Sequence, residues 1–565
     1  MSAASAIVAR RMRLPRAQTD DVVCERDLSV RMDDGSVLLA DRWVARATRD
    51  QPQPTVLVRS PYGRRQVVGL IFGRLLAERG LQVVIQSVRG TFGSEGQFSP
   101  FEERADGVTT LRWLREQPWH AERIGMIGPS YLGLVQWALA PDADDDLAGL
   151  AIAVSASQFH GQTWAGGSLS LATAASWLVL VATQQRRLAP VAIARALHGL
   201  PALFSELPLV DLDERATGAE VSWWREGMAN PGRDDAYWVA RDFAAGVANV
   251  AAPVQLVGGW YDIFLPWMLE DFCSLQAAGR NPQLVIGPWT HTAPGLTAAG
   301  MREGLAWLRA RLLDDDRLVS PATIRVFVTG EDSSAGWRDL PSWPPPGTGE
   351  RRLWLADHGR LQEAPPTETP PSGDRYRYDP ADPTPSLGGP VLLEREPVVD
   401  NRALEARADV LTYTTEPLPS TVEAIGPVRV ELWVRASSPY FDMFARVCDV
   451  DAAGVSHNVC DALARVAPQR FEQAGDGTWR VRFDLWPTGH RFAPGHRIRL
   501  QVSSGAHPRY ARNPGTGEDP ATATALEPVD LEVLRGAQHS SVLILPRGPD
   551  TGARPPSGAE IPAHG

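Results

Sequence analysis

Three short segments of this chain carry side chains able to do nucleophilic chemistry, and each follows an apolar run. The first is Arg123–Ile124–Gly125–Met126–Ile127–Gly128–Pro129–Ser130–Tyr131–Leu132–Gly133, a strand-like stretch that runs into a serine between glycines. A serine hydroxyl is a poor nucleophile unless a sharp turn raises it to where a base can reach it. Gly128 permits the tight turn, and Gly133 lets a following helix pack close to neighbouring strands. The spacing departs from G-x-S-x-G, because Leu132 holds the second position after the serine and the glycine comes one residue later. The second segment is Val254–Gln255–Leu256–Val257 followed by Gly258–Gly259–Trp260–Tyr261–Asp262. The third is Leu284–Val285–Ile286 followed by Gly287–Pro288–Trp289–Thr290–His291. A serine, an acid and a histidine, in that order and each just past a strand, can act as nucleophile, orienting group and base in acyl transfer.

Such groups meet only if their strands lie side by side with their carboxyl ends at one edge, as in an open parallel sheet. The pattern supports this. A β-branched run at Thr55–Val56–Leu57–Val58 precedes a helical face bearing Val67, Leu70, Ile71 and Leu75. A strand at Leu81–Gln82–Val83–Val84–Ile85 is followed by a helix marked by Val108, Leu111 and Leu114, and then by the serine strand. After Leu150–Ala151–Ile152–Ala153–Val154 the rhythm breaks. Residues from about Ser155 to Ala245 are Ala- and Leu-rich, helical in pattern, and carry tryptophans at 164, 177, 223, 224 and 238. An insertion there would cap the catalytic edge. Past Leu340–Pro341–Ser342–Trp343–Pro344–Pro345–Pro346 the runs alternate with period two, as in Val428–Arg429–Val430–Glu431–Leu432 and Arg497–Ile498–Arg499–Leu500–Gln501–Val502, the mark of a β-sandwich or jelly roll. The expected division is a core over 1–154, a helical cap over 155–245, the core resumed over 246–345, and a β-rich domain over 346–565. The end of the chain from about Pro546 reads as loose.

Eleven histidines are present, so a single one near a strand end carries little weight. His120 is the main rival of His291, but Pro118–Trp119–His120 places it at the amino end of the serine strand. His160 and His198 fall in the cap. The glycine-rich Gly90–Thr91–Phe92–Gly93–Ser94–Glu95–Gly96 lacks the Gly-Lys-Ser/Thr ending that holds phosphate, and reads as a tight loop at the catalytic edge.

A formal charge of −11 argues against nucleic-acid and anionic-membrane partners. Acidic runs at 142–146 and 314–316 read as solvated loops or helix ends. The four cysteines show no C-x-x-C pair, and no H-E-x-x-H or comparable spacing suggests a metal, so no cofactor and no disulfide framework are expected. The first residues lack the apolar core of a secretion signal, and the apolar run from about Leu169 to Ala182 is short for a bilayer span. A cytoplasmic protein is the default expectation; the assembly state is open, with a homodimer compatible.

These segments together resemble the cocaine-esterase / X-Pro dipeptidyl-peptidase-like family of serine hydrolases. The resemblance is carried by Arg59–Ser60–Pro61–Tyr62, Val88–Arg89–Gly90–Thr91–Phe92–Gly93–Ser94–Glu95–Gly96, Gly128–Pro129–Ser130–Tyr131–Leu132–Gly133, Gly259–Trp260–Tyr261–Asp262 and Gly287–Pro288–Trp289–Thr290–His291. Tyr378–Asp379–Pro380–Ala381–Asp382–Pro383 and Pro494–Gly495–His496–Arg497 extend it into the β-rich part. It implies an α/β class with an α/β-hydrolase core, an inserted helical cap and a C-terminal β jelly-roll domain. Ser130, Asp262 and His291 would form the triad. The backbone N–H of Tyr131, the residue after the nucleophile, would supply one oxyanion donor; the resemblance makes the phenol of Tyr62 the second. It also places Trp164, Trp177 and Phe264 around the acyl group. Relatives acting on α-amino acid esters or β-lactams carry acids just beyond the catalytic aspartate, where this chain has Ile263–Phe264–Leu265. The expected substrate is therefore a small carboxylic ester with an apolar or aryl acyl group. An α-amino acid ester hydrolase, a β-lactam acylase or an X-Pro dipeptidyl-peptidase stands as the alternative, and a catalytically silent binding protein as the alternative of another class.

Overall fold

The computed structural model describes residues 3–143, 147–331, 336–346, 349–367 and 372–547. Among them a ten-stranded sheet is built from β1 (Val22–Arg31), β2 (Val37–Ala45), β3 (Gln53–Ser60), β4 (Gln82–Ser87), β5 (His120–Pro129), β6 (Leu147–Ala153), β7 (Val254–Tyr261), β8 (Gln283–Thr290), β9 (Ile324–Val328) and β10 (Gly336–Leu340). Their spatial order is β1-β2-β4-β3-β5-β6-β7-β8-β9-β10. From β4 through β9 every pairing is parallel, whereas β1, β2 and β10 join antiparallel at the two margins. The central strands β4 and β7 are buried along their whole length, as expected where helices cover both faces.

Strand alternation assigns the two faces. On β5, Gly125 and Ile127 lie against the helix Pro294–Leu313, meeting Leu308 and Gly304, while Gly128, of opposite parity, lies against Leu132 of the helix Tyr131–Leu139. The segment between β6 and β7 is helical, with helices at Leu171–Thr183, Ala189–Leu203, Leu212–Thr217 and Ser222–Ala229. The apolar run near 169–182 is therefore a helix of this insertion, buried on one side by Leu171, Ala175, Leu178 and Val179. No helix among the described residues is long and apolar enough to cross a membrane.

Beyond β10 the regular structure of the described residues is almost entirely β, with strands such as Val422–Ala436, Phe441–Val450, Ser456–Val466, Trp479–Phe492 and Arg497–Ser503 forming a second large sheet. Its pairings are antiparallel except for one contact between Arg360 and Thr414. This unit is fastened to the rest. Ala172 and Val210 of the insertion donate backbone hydrogen bonds to Pro508 and Ala521, and across the seam near β9 the Thr329 N–H donates to Gly489 O while Thr329 O accepts from the Arg491 N–H. Pro546 and Arg547, read from sequence as the start of a loose tail, instead end the strand Val542–Arg547. The remainder of that tail, and residues 144–146 of the acidic run, lie outside the described residues.

Candidate active site

The elbow takes its shape from one residue in a rare conformation. Ser130 has φ 57° and ψ −124°, a state that costs a non-glycine residue roughly 1–3 kcal/mol and persists only where its surroundings enforce it. Here the Ser130 N–H donates to Ala153 O of β6 at 2.9 Å, and Ser130 O accepts from Gly133 and Leu134 at 2.8 and 3.1 Å, starting the helix. Both flanking glycines are sterically required. A Cβ on Gly128 would sit 2.3 Å from Leu132 Cβ, and one on Gly133 would sit 2.5 Å from Ser155 Cβ. The late glycine thus marks where this helix crosses the loop after β6. The first N–H of the helix, from Tyr131, has no protein acceptor among the described residues and opens at the positive end of the helix beside the serine.

Register delivers the other two residues. In the β7–β8 ladder Tyr261 pairs with Thr290, so the next residue on each strand, Asp262 and His291, are neighbours. His291 Nδ1 lies 2.6 Å from Asp262 Oδ2, and Asp262 Oδ1 accepts the Phe264 N–H at 2.9 Å. Asp262 is fully buried and therefore rigidly held, with both oxygens engaged. That contact puts the imidazole proton on Nδ1 and leaves Nε2 as the acceptor. Ser130 and His291 line the same cavity, with no direct hydrogen bond between their side chains among the described residues. Such catalytic hydrogen bonds commonly tighten only when substrate is bound. His120, by contrast, bonds Thr55 at the opposite end of the sheet.

Tyr62 follows β3, the strand beside the elbow strand. Its hydroxyl accepts the Trp177 indole N–H at 3.0 Å, which leaves its own proton free to donate, and burial pushes the phenol up to about 12. Tyr62, Ser130 and His291 line one cavity of about 1140 Å³ together with Leu180, Leu296 and Met301. On the other side of Ser130 opens a cavity of about 690 Å³, lined by Trp164, Trp177 and Phe264. The sequence reading missed further walls of that chamber. Phe159 packs on Phe264 with ring centroids 4.3 Å apart, and Phe101 stacks on Trp177 at 5.6 Å. Trp223 and Trp238 of the insertion also face it, as does Leu392 from the β-rich domain. The tryptophans were visible as a cluster in the insertion, whereas Phe101, Phe159 and Leu392 carry no local signal. Among the described residues no carboxylate lines either cavity.

Behind the elbow the Tyr131 side chain is buried. Its hydroxyl donates to Glu103 at 2.7 Å and accepts the Phe101 N–H at 2.9 Å, and Glu103 pairs with the buried Arg59 at 2.9 Å. Burial raises the Glu103 carboxyl from its ordinary value, and the adjacent Arg59 opposes that rise. This network ties the elbow helix to β3, so the Tyr131 side chain anchors the turn that carries Ser130.

The X-Pro dipeptidyl-peptidase (S15 family) profile matches residues 34–293, and the profile of the X-Pro dipeptidyl-peptidase C-terminal non-catalytic domain matches residues 320–544. Over 580 residues the chain is 31% identical to the cocaine esterase of Rhodococcus sp. (strain MB1 Bresler), covering 92% of this chain and 98% of that protein. The chain belongs to the S15 / cocaine-esterase family of serine hydrolases. An α-amino acid ester hydrolase superposes with a TM-score of 0.78 at 20% identity, covering 95% of this chain and 98% of that one. An aminopeptidase from the marine sediment archaeon Thaumarchaeota archaeon gives 0.77 at 21%, covering 94% and 97%. At such identities these two show the shared fold alone. The second profile begins before β9, so it includes two strands that hydrogen-bond into the core sheet.

Proposed function

We propose that this S15-family serine hydrolase cleaves small carboxylic esters with an apolar or aryl acyl group, using Ser130, Asp262 and His291. His291 Nε2 takes the Ser130 proton as Oγ attacks the ester carbonyl, and Asp262 holds the imidazole through Nδ1 and balances its charge. The tetrahedral oxyanion accepts from the Tyr131 N–H and the Tyr62 phenol, donors fixed before reaction by the helix start and by Trp177. The imidazolium returns its proton to the departing alcohol, leaving an acyl-enzyme. Water then enters and gives a proton to Nε2 as it attacks the acyl carbon, and the imidazolium passes that proton to Ser130 Oγ as the acid leaves.

One observation carries the substrate class: the chamber beside Ser130 is walled by Trp164, Trp177, Phe264, Phe101 and Phe159 and has no carboxylate among its described lining residues. Such walls suit a flat apolar acyl group. They give a substrate ammonium no partner, and an unpaired charge in an apolar site is strongly disfavoured, which places α-amino ester and X-Pro dipeptide hydrolysis second. In this reading the β-rich unit is a jelly roll that closes the chamber with Leu392, and the limits 1–154, 155–245, 246–345 and 346–565 divide core, cap, core and jelly roll. The test is a panel of matched aryl, alkyl and α-amino esters. We expect kcat/KM for a phenylacetyl ester to exceed that for the corresponding phenylglycyl ester by at least ~10-fold. Preference for the amino ester would overturn the assignment.

A further inference from the structure

Away from the serine, the seam between the core sheet and the β-rich domain gathers a second set of titratable side chains. Glu331 follows β9, while Asp451 and His457 sit at the turn of the hairpin formed by Phe441–Val450 and Ser456–Val466. One ligand-capable atom from each of these three lies within 4.8 Å of the other two. His457 Nε2 is 3.8 Å from Glu331 Oε1, and His496 Nε2 is 4.0 Å from Glu331 Oε2. Both separations are too long for hydrogen bonds. The His457–Glu331 separation is somewhat longer than the edge, roughly 3.3–3.4 Å, of a tetrahedron whose metal–ligand bonds are about 2.0–2.1 Å.

The groups behind this cluster are held by hydrogen bonds. Asp449, almost fully buried, accepts from His496 Nδ1 at 2.9 Å and from His490 Nε2 at 3.0 Å. His490 Nδ1 in turn contacts Thr329 Oγ1 at 2.8 Å. With Nδ1 held by Asp449, His496, itself only 8% exposed, keeps Nε2 on the Glu331 side. Asp451 Oδ1 accepts the N–H groups of Ala453 and Val455, both at 2.8 Å. Those bonds, the Val455 one foremost, hold its carboxyl below the usual range and fix the turn. A cavity of about 1210 Å³ opens at the same place, lined by Glu331, Asp449, His457 and His490.

We propose that Glu331, Asp451 and His457 form a zinc-type divalent-cation site that clips the core to the β-rich domain. One imidazole and two carboxylates suit Zn²⁺ or Mn²⁺, whereas Ca²⁺ and Mg²⁺ prefer all-oxygen shells. Because Glu331 belongs to one unit and Asp451 and His457 to the other, a bound ion resists their separation and adds stability by mass action.

The full-length protein, stripped with EDTA and dialysed, is titrated with ZnCl₂ by calorimetry, and its thermal midpoint is recorded with and without zinc. We expect one equivalent bound, a raised midpoint, and affinity reduced at least ~10-fold in both His457→Ala and Asp451→Asn. The asparagine keeps the acceptor that shapes the turn. The midpoint in EDTA checks that each variant is folded, and Glu331→Gln, changed at an exposed side chain, replaces any that is not. No zinc uptake by the wild type, or uptake equal in wild type and variants, overturns the proposal.

Discussion

Replacing Tyr62 by phenylalanine removes one hydroxyl and separates its two roles. In the folded protein that oxygen accepts the Trp177 N–H at 3.0 Å, so Tyr62→Phe leaves the indole without its acceptor. For a part-buried donor this costs about 1 kcal/mol of stability. In the proposed reaction the same hydroxyl is one of two oxyanion donors, and burial, which pushes its pKa up to about 12, keeps the proton in place at any ordinary assay pH. Loss of a preorganised donor lowers kcat by about 10²–10³, equivalent to roughly 2.7–4 kcal/mol of transition-state stabilisation. KM should change little, because the ring that shapes the cavity stays. Steady-state kinetics on a p-nitrophenyl ester, beside urea denaturation of both proteins, reads the two effects apart. A kcat within about threefold of wild type, with the variant folded, would refute the assignment of Tyr62 to the oxyanion.

Two further substitutions probe the supporting carboxylates. Asp262→Asn keeps the shape but offers the wrong partner to His291 Nδ1, and kcat should fall about 10⁴-fold; a loss under tenfold would detach Asp262 from the mechanism. Asp271, buried on the helix Leu265–Ala277, accepts the Ser157 N–H at 2.7 Å and meets the Ser157 hydroxyl at 2.5 Å, and desolvation lifts its pKa to about 8. The folded state therefore holds a proton that the unfolded chain has already released above about pH 4, so this group's contribution to stability falls as pH rises from about 4 to 8 and then levels. In Asp271→Asn, whose amide can make both contacts, that decline should be absent from denaturation midpoints measured between pH 5 and 8. An unchanged decline would show that Asp271 does not cause it.

Much of the parallel sheet was legible because its strands are short apolar runs punctuated by glycine, a local signal that survives without tertiary context. The order of Ser130, Asp262 and His291 was legible for the same reason, since each directly follows such a run. The antiparallel margins were not. β1 and β2 are part-exposed with mixed composition, as in Val22–Val23–Cys24–Glu25–Arg26–Asp27, and their pairing depends on partners elsewhere. The chamber walls divide in the same way. Tryptophans in the insertion stand out by type, but Phe101 reaches the chamber from a loop before the helix Arg104–Arg115, and Leu392 comes from the second domain. Nor could sequence show that Trp177 both lines the aromatic chamber and holds Tyr62, because that depends on a contact between residues 115 positions apart.

The proposed chemistry requires Ser130 to be the activated nucleophile at the rim where Asp262 and His291 meet. Incubation with a fluorophosphonate probe, followed by intact-mass and peptide analysis, tests it most directly. One probe adduct per chain on Ser130, lost in Ser130→Ala and strongly slowed in His291→Ala, is the expected result. An adduct that persists in Ser130→Ala, or wild-type protein that takes up no probe while folded, would contradict it.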